Sequence, residues 1–169
     1  MTEHRLIEKM LALAEGKSAA MTEDDYDPIF VDTVVDFIKT YADRTHHGKE
    51  ENILFADLGR KDLKGEDARV MGELIDEHRQ ARSKVAAIVE LNERYKRGER
   101  ATAGAIKEII SWLASFYPVH IRKEDDRFFP DAEAYFDDRE LAEMLERFWT
   151  FDRDMIHEKY RKLFESLDE

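Results

Sequence analysis

His46-His47-Gly48-Lys49-Glu50-Glu51-Asn52-Ile53-Leu54-Phe55 is answered 74 residues later by His120-Ile121-Arg122-Lys123-Glu124-Asp125-Asp126-Arg127-Phe128-Phe129. The two stretches share a His-x-x-x-Glu, and Lys49 and Phe55 match Lys123 and Phe129. The same offset relates Glu3-His4-Arg5 to Glu77-His78-Arg79. Each half of the chain therefore supplies a lone histidine and then a His-x-x-x-Glu. Residues four apart share a helix face, so His46 and Glu50 project together, as do His120 and Glu124. Four imidazoles and two carboxylates in a pseudo-twofold arrangement suit a pair of first-row metal ions inside a helix bundle, iron first among them.

Both motifs interrupt apolar stripes. Val35, Ile38, Ala42, His46, Glu50 and Leu54 follow one another at steps of three or four, as do Ile109, Leu113, Phe116, His120, Glu124 and Phe128. His78 belongs to the stripe Met71, Leu74, His78, Ala81, Val85 and Ile88, and His4 precedes Ile7 and Leu11 on one face. Inward-facing carboxylates lose solvation or become protonated unless a partner satisfies them. A dinuclear metal site is such a partner, with glutamates bridging, histidines capping and a bridging oxygen completing the charge balance. One histidine on an apolar face is ordinarily a hydrogen-bonded core residue, and one His-x-x-x-Glu is ordinarily a surface pair. Two such motifs at one offset, with four helices contributing, point to metal instead.

The periodicity is helical nearly throughout, which makes the expected fold class all-α. The first helix is expected from Thr2, as N-cap, to Glu15, with Gly16 ending it. Asp27-Pro28 opens the second, which extends to about Leu58. The third runs from about Glu66 to Arg97, closed by Gly98. The fourth is capped by Thr102 and reaches Phe129 before Pro130. A fifth opens at Asp137 or Asp138. Pro118, two residues before His120, is expected to bend the fourth helix.

Composition narrows the function. Of 169 residues, 43% are apolar and 39% charged, a balance that fits helices with charged outer faces. A net charge of −12 repels nucleic-acid phosphates and anionic lipid, so neither nucleic acid nor membrane is an expected partner. The absence of cysteine removes thiol catalysis, iron–sulfur ligation and thiolate zinc sites. Met1-Thr2-Glu3-His4 carries no basic-then-apolar leader pattern, and no apolar run has bilayer-spanning length, so the expected location is cytoplasmic.

The two ten-residue stretches and the Glu-His-Arg elements resemble the signature segments of bacterial hemerythrin-like (HHE cation-binding) domains. The likeness runs from the first helix through the fourth. It implies an antiparallel up-down four-helix bundle with the fifth helix as a C-terminal addition. Residues 1–169 would then form a single domain, with the metal-binding bundle over about 1–130 and the added helix over about 137–168. It also implies a non-haem centre of two iron ions with a bridging oxo, hydroxo or water, manganese or zinc being the lesser alternatives. His4, His46, Glu50, His78, His120 and Glu124 occupy the matching metal positions. Two departures stand out. Oxygen-carrying members have a histidine four residues after the third-helix ligand, where this chain has Arg82. They also have an aspartate five residues after the fourth-helix histidine, where Asp125 stands beside Glu124. The repeat and the helix face both choose Glu124, and Asp125 is the alternate. The missing histidine leaves one iron more open, or filled by water or another side chain, and favours redox or small-molecule reactivity over reversible dioxygen carriage.

His47 and Glu51 form a second His-x-x-x-Glu, but the repeat aligns His47 with Ile121, so His47 is expected as a supporting or surface group. His157 lies one residue off the stripe Ile156, Tyr160, Leu163 and Leu167 and is expected to be exposed. Phe30, Phe37, Trp112, Phe116, Phe148, Trp149 and Phe151 are expected in the core. The functional expectation is a non-haem di-iron protein that binds or senses dioxygen or a related small molecule. The alternatives are a di-iron enzyme that reduces nitric oxide or decomposes peroxide, and an iron-sensing or storage protein. The same residues serve an enzyme and a carrier alike.

Overall fold

The structure is a computed structural model that describes residues 2–167, with side chains as far as Arg161. Helix α1 is Thr2–Ala20. Helix α2 occupies residues 28–58 and is composite: an α-helical Pro28–Phe37, π-helical turns at Ile38–His47 and Glu50–Phe55, and a last turn Ala56–Leu58. Helix α3 is Gly65–Lys96. Helix α4 occupies residues 102–133, with α-helix Thr102–Lys123, π-helical Glu124–Phe128 and a final α-turn Phe129–Glu133. Helix α5 is Asp138–Leu167. Short connections reverse the chain after each of the first three rods, which gives the antiparallel up-down bundle. Contacts run α1 to α2, α2 to α3, α3 to α4 and α4 back to α1, while α5 lies against the π-helical part of α2.

Local chemistry explains most boundaries. The Asp27 carboxylate accepts the backbone N–H groups of Ile29 and Phe30 at 3.0 Å, and Pro28 follows where its missing N–H costs nothing. Gly98 closes α3 with φ at 104°, a backbone state that favours glycine. Four sequence expectations need correction. α1 passes through Gly16 because Ala14 and Ser18 continue its buried face, and packing outweighs the weak stop signal of one glycine. Ala101, not Thr102, precedes α4; the Thr102 hydroxyl instead donates to the Glu99 carbonyl at 2.9 Å. Pro130 does not end α4, because it falls in the first turn of Phe129–Glu133, where no donor is needed. Trp149 is 54% exposed and lies outside the core.

Two apolar clusters fill the bundle. The larger includes Ile7, Leu11, Val34, Ile38, Ile88 and Leu113, and the smaller Phe55, Leu58, Leu74 and Phe128. Along α3, His78 falls between Leu74 of the smaller cluster and Ala81 of the larger; along α4, His120 and Glu124 fall between Tyr117 and Phe128. The polar layer thus divides the core. At the far end of the larger cluster, Asn92 accepts from the Tyr26 hydroxyl at 2.7 Å and donates to Pro28 O and Asp32, which anchors the α1–α2 connection on α3.

Helix α5 faces the bundle through Leu141, Met144, Phe148 and Phe151. The competing stripe, Ile156 and Tyr160, is exposed, as is His157; the side chains of Leu163 and Leu167 lie outside the described residues. A Cβ on Gly48 would sit 2.9 Å from the Phe151 ring, so glycine at this point lets α5 approach α2 closely. Among the described residues, no helix is long and apolar enough to cross a membrane.

Gly16 is exposed and a Cβ there meets nothing within 4 Å. Gly16→Ala is therefore expected to raise the unfolding free energy by about 0.5–1 kcal/mol in urea denaturation, whereas a decrease would show that α1 stops there. Leu113 is fully buried. Leu113→Ala is expected to lower the same quantity by about 2–5 kcal/mol, and a loss under about 1 kcal/mol would contradict the packing described.

Candidate metal centre

Holding Ala42, His46 and Glu50 on one face is not automatic. In a regular α-helix, positions four apart drift by about 40° per step, so a run of such steps spirals off the face. The π-helical turns absorb that drift by adding residues per turn. Their hydrogen bonds reach five residues back: Gly48 N–H to Asp43 O, echoed by the Thr45 hydroxyl on Thr40 O at 2.8 Å. The same device at Glu124–Phe128 keeps His120, Glu124 and Phe128 aligned. The strict steps of four were the sequence signal for it.

All six expected residues meet in the dry middle of the bundle, each no more than 3% exposed. Glu50 sets Oε1 3.5 Å from His46 Nε2 and Oε2 3.5 Å from His78 Nε2. Glu124 sets Oε2 3.4 Å from His4 Nε2, and Oε1 3.2 Å from His120 Nε2 and 3.8 Å from His78 Nε2. Each glutamate therefore offers one oxygen to the His4–His46 pair and the other to the His78–His120 pair. Donor atoms of His4, His46, Glu50 and Glu124 lie within 4.8 Å of one another, and so do those of His47, His78 and His120. His47 is only 2% exposed, which overturns its reading as a surface group.

Around the cluster runs a closed ring of hydrogen bonds, each joining one helix to the next. His46 Nδ1 on α2 pairs with Glu3 of α1 at 2.9 Å, and His78 Nδ1 on α3 with Glu51 of α2 at 2.7 Å. His120 Nδ1 on α4 pairs with Glu77 of α3 at 2.8 Å, and His4 Nδ1 on α1 with Asp125 of α4 at 2.9 Å. Glu3 matches Glu77 and Glu51 matches Asp125 at the 74-residue offset, so the repeat encodes this outer layer too. Lys49 on Glu3 and Lys123 on Glu77 complete the symmetry. Asp125 thus stands behind His4, where it also takes Arg5 at 2.7 Å, rather than among the inner groups. Arg82 donates to Asp43 and Glu51.

Ionised carboxylates only accept, so the four Nδ1 atoms carry the hydrogens and the four Nε2 lone pairs point inward. His4 Nε2 and His46 Nε2 are 2.8 Å apart, an arrangement that repels unless a cation or proton lies between them. Both oxygens of Glu50, both of Glu124, and Nε2 of His78 and His120 are buried with no hydrogen-bond partner. His120 Nε2 approaches Glu124 Oε1 at 3.2 Å, a contact that holds only when a proton or a cation occupies that lone pair.

The electrostatics tell the same story. Burial, then the Glu124 charge, pushes the Glu50 carboxyl well above the usual range. Burial works against a charged His120, yet Glu124 and Glu77 raise its pKa to about 9. Burial and His46 lower His4 to about 4. In the outer ring, burial opposes ionisation of Glu3, but His46 and Lys49 hold it at about 2. Burial opposes ionisation of Glu124 too, but His120 and His78 hold it below the usual carboxylate range, so within the ionised outer ring Glu50 and His120 are the inner groups that take up protons when no cation is supplied. A divalent metal between the two histidine pairs would satisfy the unpartnered oxygens of Glu50 and Glu124 and Nε2 of His78 and His120 at once, and an imidazole–carboxylate donor set without sulfur suits iron, manganese or zinc.

Two cavities approach the cluster. One of about 450 Å³ reaches His46 and Glu50 under α5 and is otherwise lined mainly by apolar groups such as Leu54, Phe129, Met144 and Phe148. The other, about 280 Å³, lies over α2 and α3 and is lined by His47, Asp43, Arg82 and Tyr117 among others.

Comparison with known proteins agrees with this geometry. The family model of the hemerythrin HHE cation binding domain matches residues 1–132, a span that contains every residue of the cluster. Neither the curated proteins nor the solved structures gave a match to the chain. The family match covers most of the sequence and rests on the same helices that build the buried histidine–glutamate layer, and the chain belongs to the hemerythrin HHE cation-binding domain family.

Proposed function

We propose that this chain is a non-haem di-iron protein that binds or senses dioxygen or a related small molecule, such as nitric oxide or peroxide. The observation that supports it most is the pair of buried, unpartnered glutamates, each with one oxygen toward each histidine pair. On this reading His4 and His46 would hold one ion and His78 and His120 the other, with Glu50 and Glu124 each offering an oxygen to both sides. Bound iron would supply redox chemistry and an open position for a small ligand.

The chain's own residues supply the rest. The outer carboxylates fix each imidazole's tautomer and orientation and raise its basicity. Phe129, Met144 and Phe148 line a largely apolar approach to His46 and Glu50, which suits a small neutral molecule. The reading as carrier or sensor and the reading as an enzyme use this same centre. They differ in whether ligand binding reverses.

Glu50→Ala and His120→Ala are each expected to lose at least half of the bound iron by elemental analysis, while His157→Ala retains it. Full occupancy in both of the first two variants would refute the ligand assignment. With ferrous protein prepared anaerobically, addition of oxygen should produce a visible absorption band. Disappearance of the band on degassing identifies binding, persistent oxidation with product release identifies turnover, and no change with oxygen, nitric oxide or peroxide refutes the proposal. Chelation is expected to lower the melting temperature by about 5–11 °C, because a ligand at about 100 times its Kd stabilises the folded chain by about 2.7 kcal/mol and each kcal/mol shifts a chain of this size by about 2–4 °C; an unchanged melting temperature would contradict it.

A further inference from the structure

We propose that His47 is a seventh protein ligand, a third nitrogen donor to the ion held by His78 and His120, supplied from α2 in place of the donor that α3 lacks at Arg82. This builds on the dinuclear reading above. His47 is 2% exposed, yet both of its ring nitrogens lack a hydrogen-bond partner. An imidazole left so loses its solvation without compensation, which a purely structural role does not repay. A donor atom of His47 lies within 4.8 Å of those of His78 and His120. The ring stacks on His78 with centroids 3.8 Å apart and planes 11° apart, and sits edge-on to His120 at 5.8 Å.

A carboxylate stands behind His47 as behind the other four histidines, but beyond hydrogen-bond contact. His47 Nδ1 faces the Asp43 carboxylate at 3.4 Å, which leaves Nε2 for the cluster. Asp43 is itself held by Arg82 Nε at 2.7 Å. Arg82 occupies the position four residues after His78, so the donor that α3 lacks there is supplied from α2, and Arg82 secures the carboxylate behind it. The π-helical turn explains how consecutive residues serve two groups. With more residues per turn, the angle between neighbours shrinks from the roughly 100° of an α-helix, so His46 and His47 both face inward.

The consequence is an unequal pair. The repeat partner of His47 is Ile121, so the His4–His46 ion gains no corresponding donor. That ion receives two imidazoles against three. The larger cavity touches its side of the cluster, at His46 and Glu50, whereas His47 and Tyr117 line the smaller cavity on the other side.

The test loads wild type, His47→Ala and the closer-sized His47→Gln with ferrous iron without oxygen, then measures iron per chain. Far-UV circular dichroism of the metal-free proteins confirms that each variant folds. Wild type should hold about two ions. Both variants should keep about one, with affinity for the second weakened at least about tenfold. Added imidazole should restore the second ion in His47→Ala by entering the vacated space. The retained ion should still bind nitric oxide, read by electron paramagnetic resonance. Folded variants that hold two ions with wild-type affinity would overturn the role of His47 and leave the dinuclear reading standing. Variants that lose both ions, or whose remaining ion no longer binds nitric oxide, would overturn its assignment to one side. Wild type that takes up no iron would remove both proposals.

Discussion

Five imidazoles and two carboxylates buried between apolar clusters cannot stand without a positive charge among them. That constraint organises the rest of the molecule. The inner oxygens and Nε2 atoms are left without partners, while every outward-facing Nδ1 of the four repeat histidines is paired with a carboxylate. Because each of those carboxylates comes from the neighbouring helix, the ring fixes the register of all four rods at one level. A shift of any helix by one turn would break two bonds of the ring and misplace at least one inner donor.

The fifth helix is tied to the same layer. Lys49, 7% exposed, bridges Glu3 and Asp152, so one ammonium joins α5 to the carboxylate that orients His46. Phe151, the neighbour of Asp152, lies against Gly48, the neighbour of Lys49, and Met144 and Phe148 line the larger cavity. Helix α5 thus does more than extend the bundle. It closes the apolar approach to the cluster and is anchored by a residue of the outer ring.

The offset repeat carried much of this in plain sight. His4, His46, Glu50, His78, His120 and Glu124 were legible because side-chain chemistry and helical spacing reinforce each other there. The outer ring was encoded in the same repeat, through Glu3 with Glu77 and Glu51 with Asp125, but its partners lie on different helices and only the fold pairs them. His47 was hidden for two reasons: Ile121 breaks the repeat at that place, and an α-helical period turns His47 away from His46. The π-helical backbone changes that angle. Gly16, Pro130 and Trp149 were misjudged for a common reason. A glycine, a proline or an aromatic is a weak local preference, and the packed face of α1, the restarted turn at Phe129 and the choice between two stripes of α5 are tertiary decisions.

The central claim is that the buried layer holds two bridged metal ions. Crystals of iron-loaded protein measured at the iron absorption edge test it most directly. The account predicts two anomalous peaks about 3.5–4 Å apart, one beside His4 and His46, the other beside His47, His78 and His120, with Glu50 and Glu124 between them. A single peak in the cluster, or iron only at surface carboxylates, would contradict it.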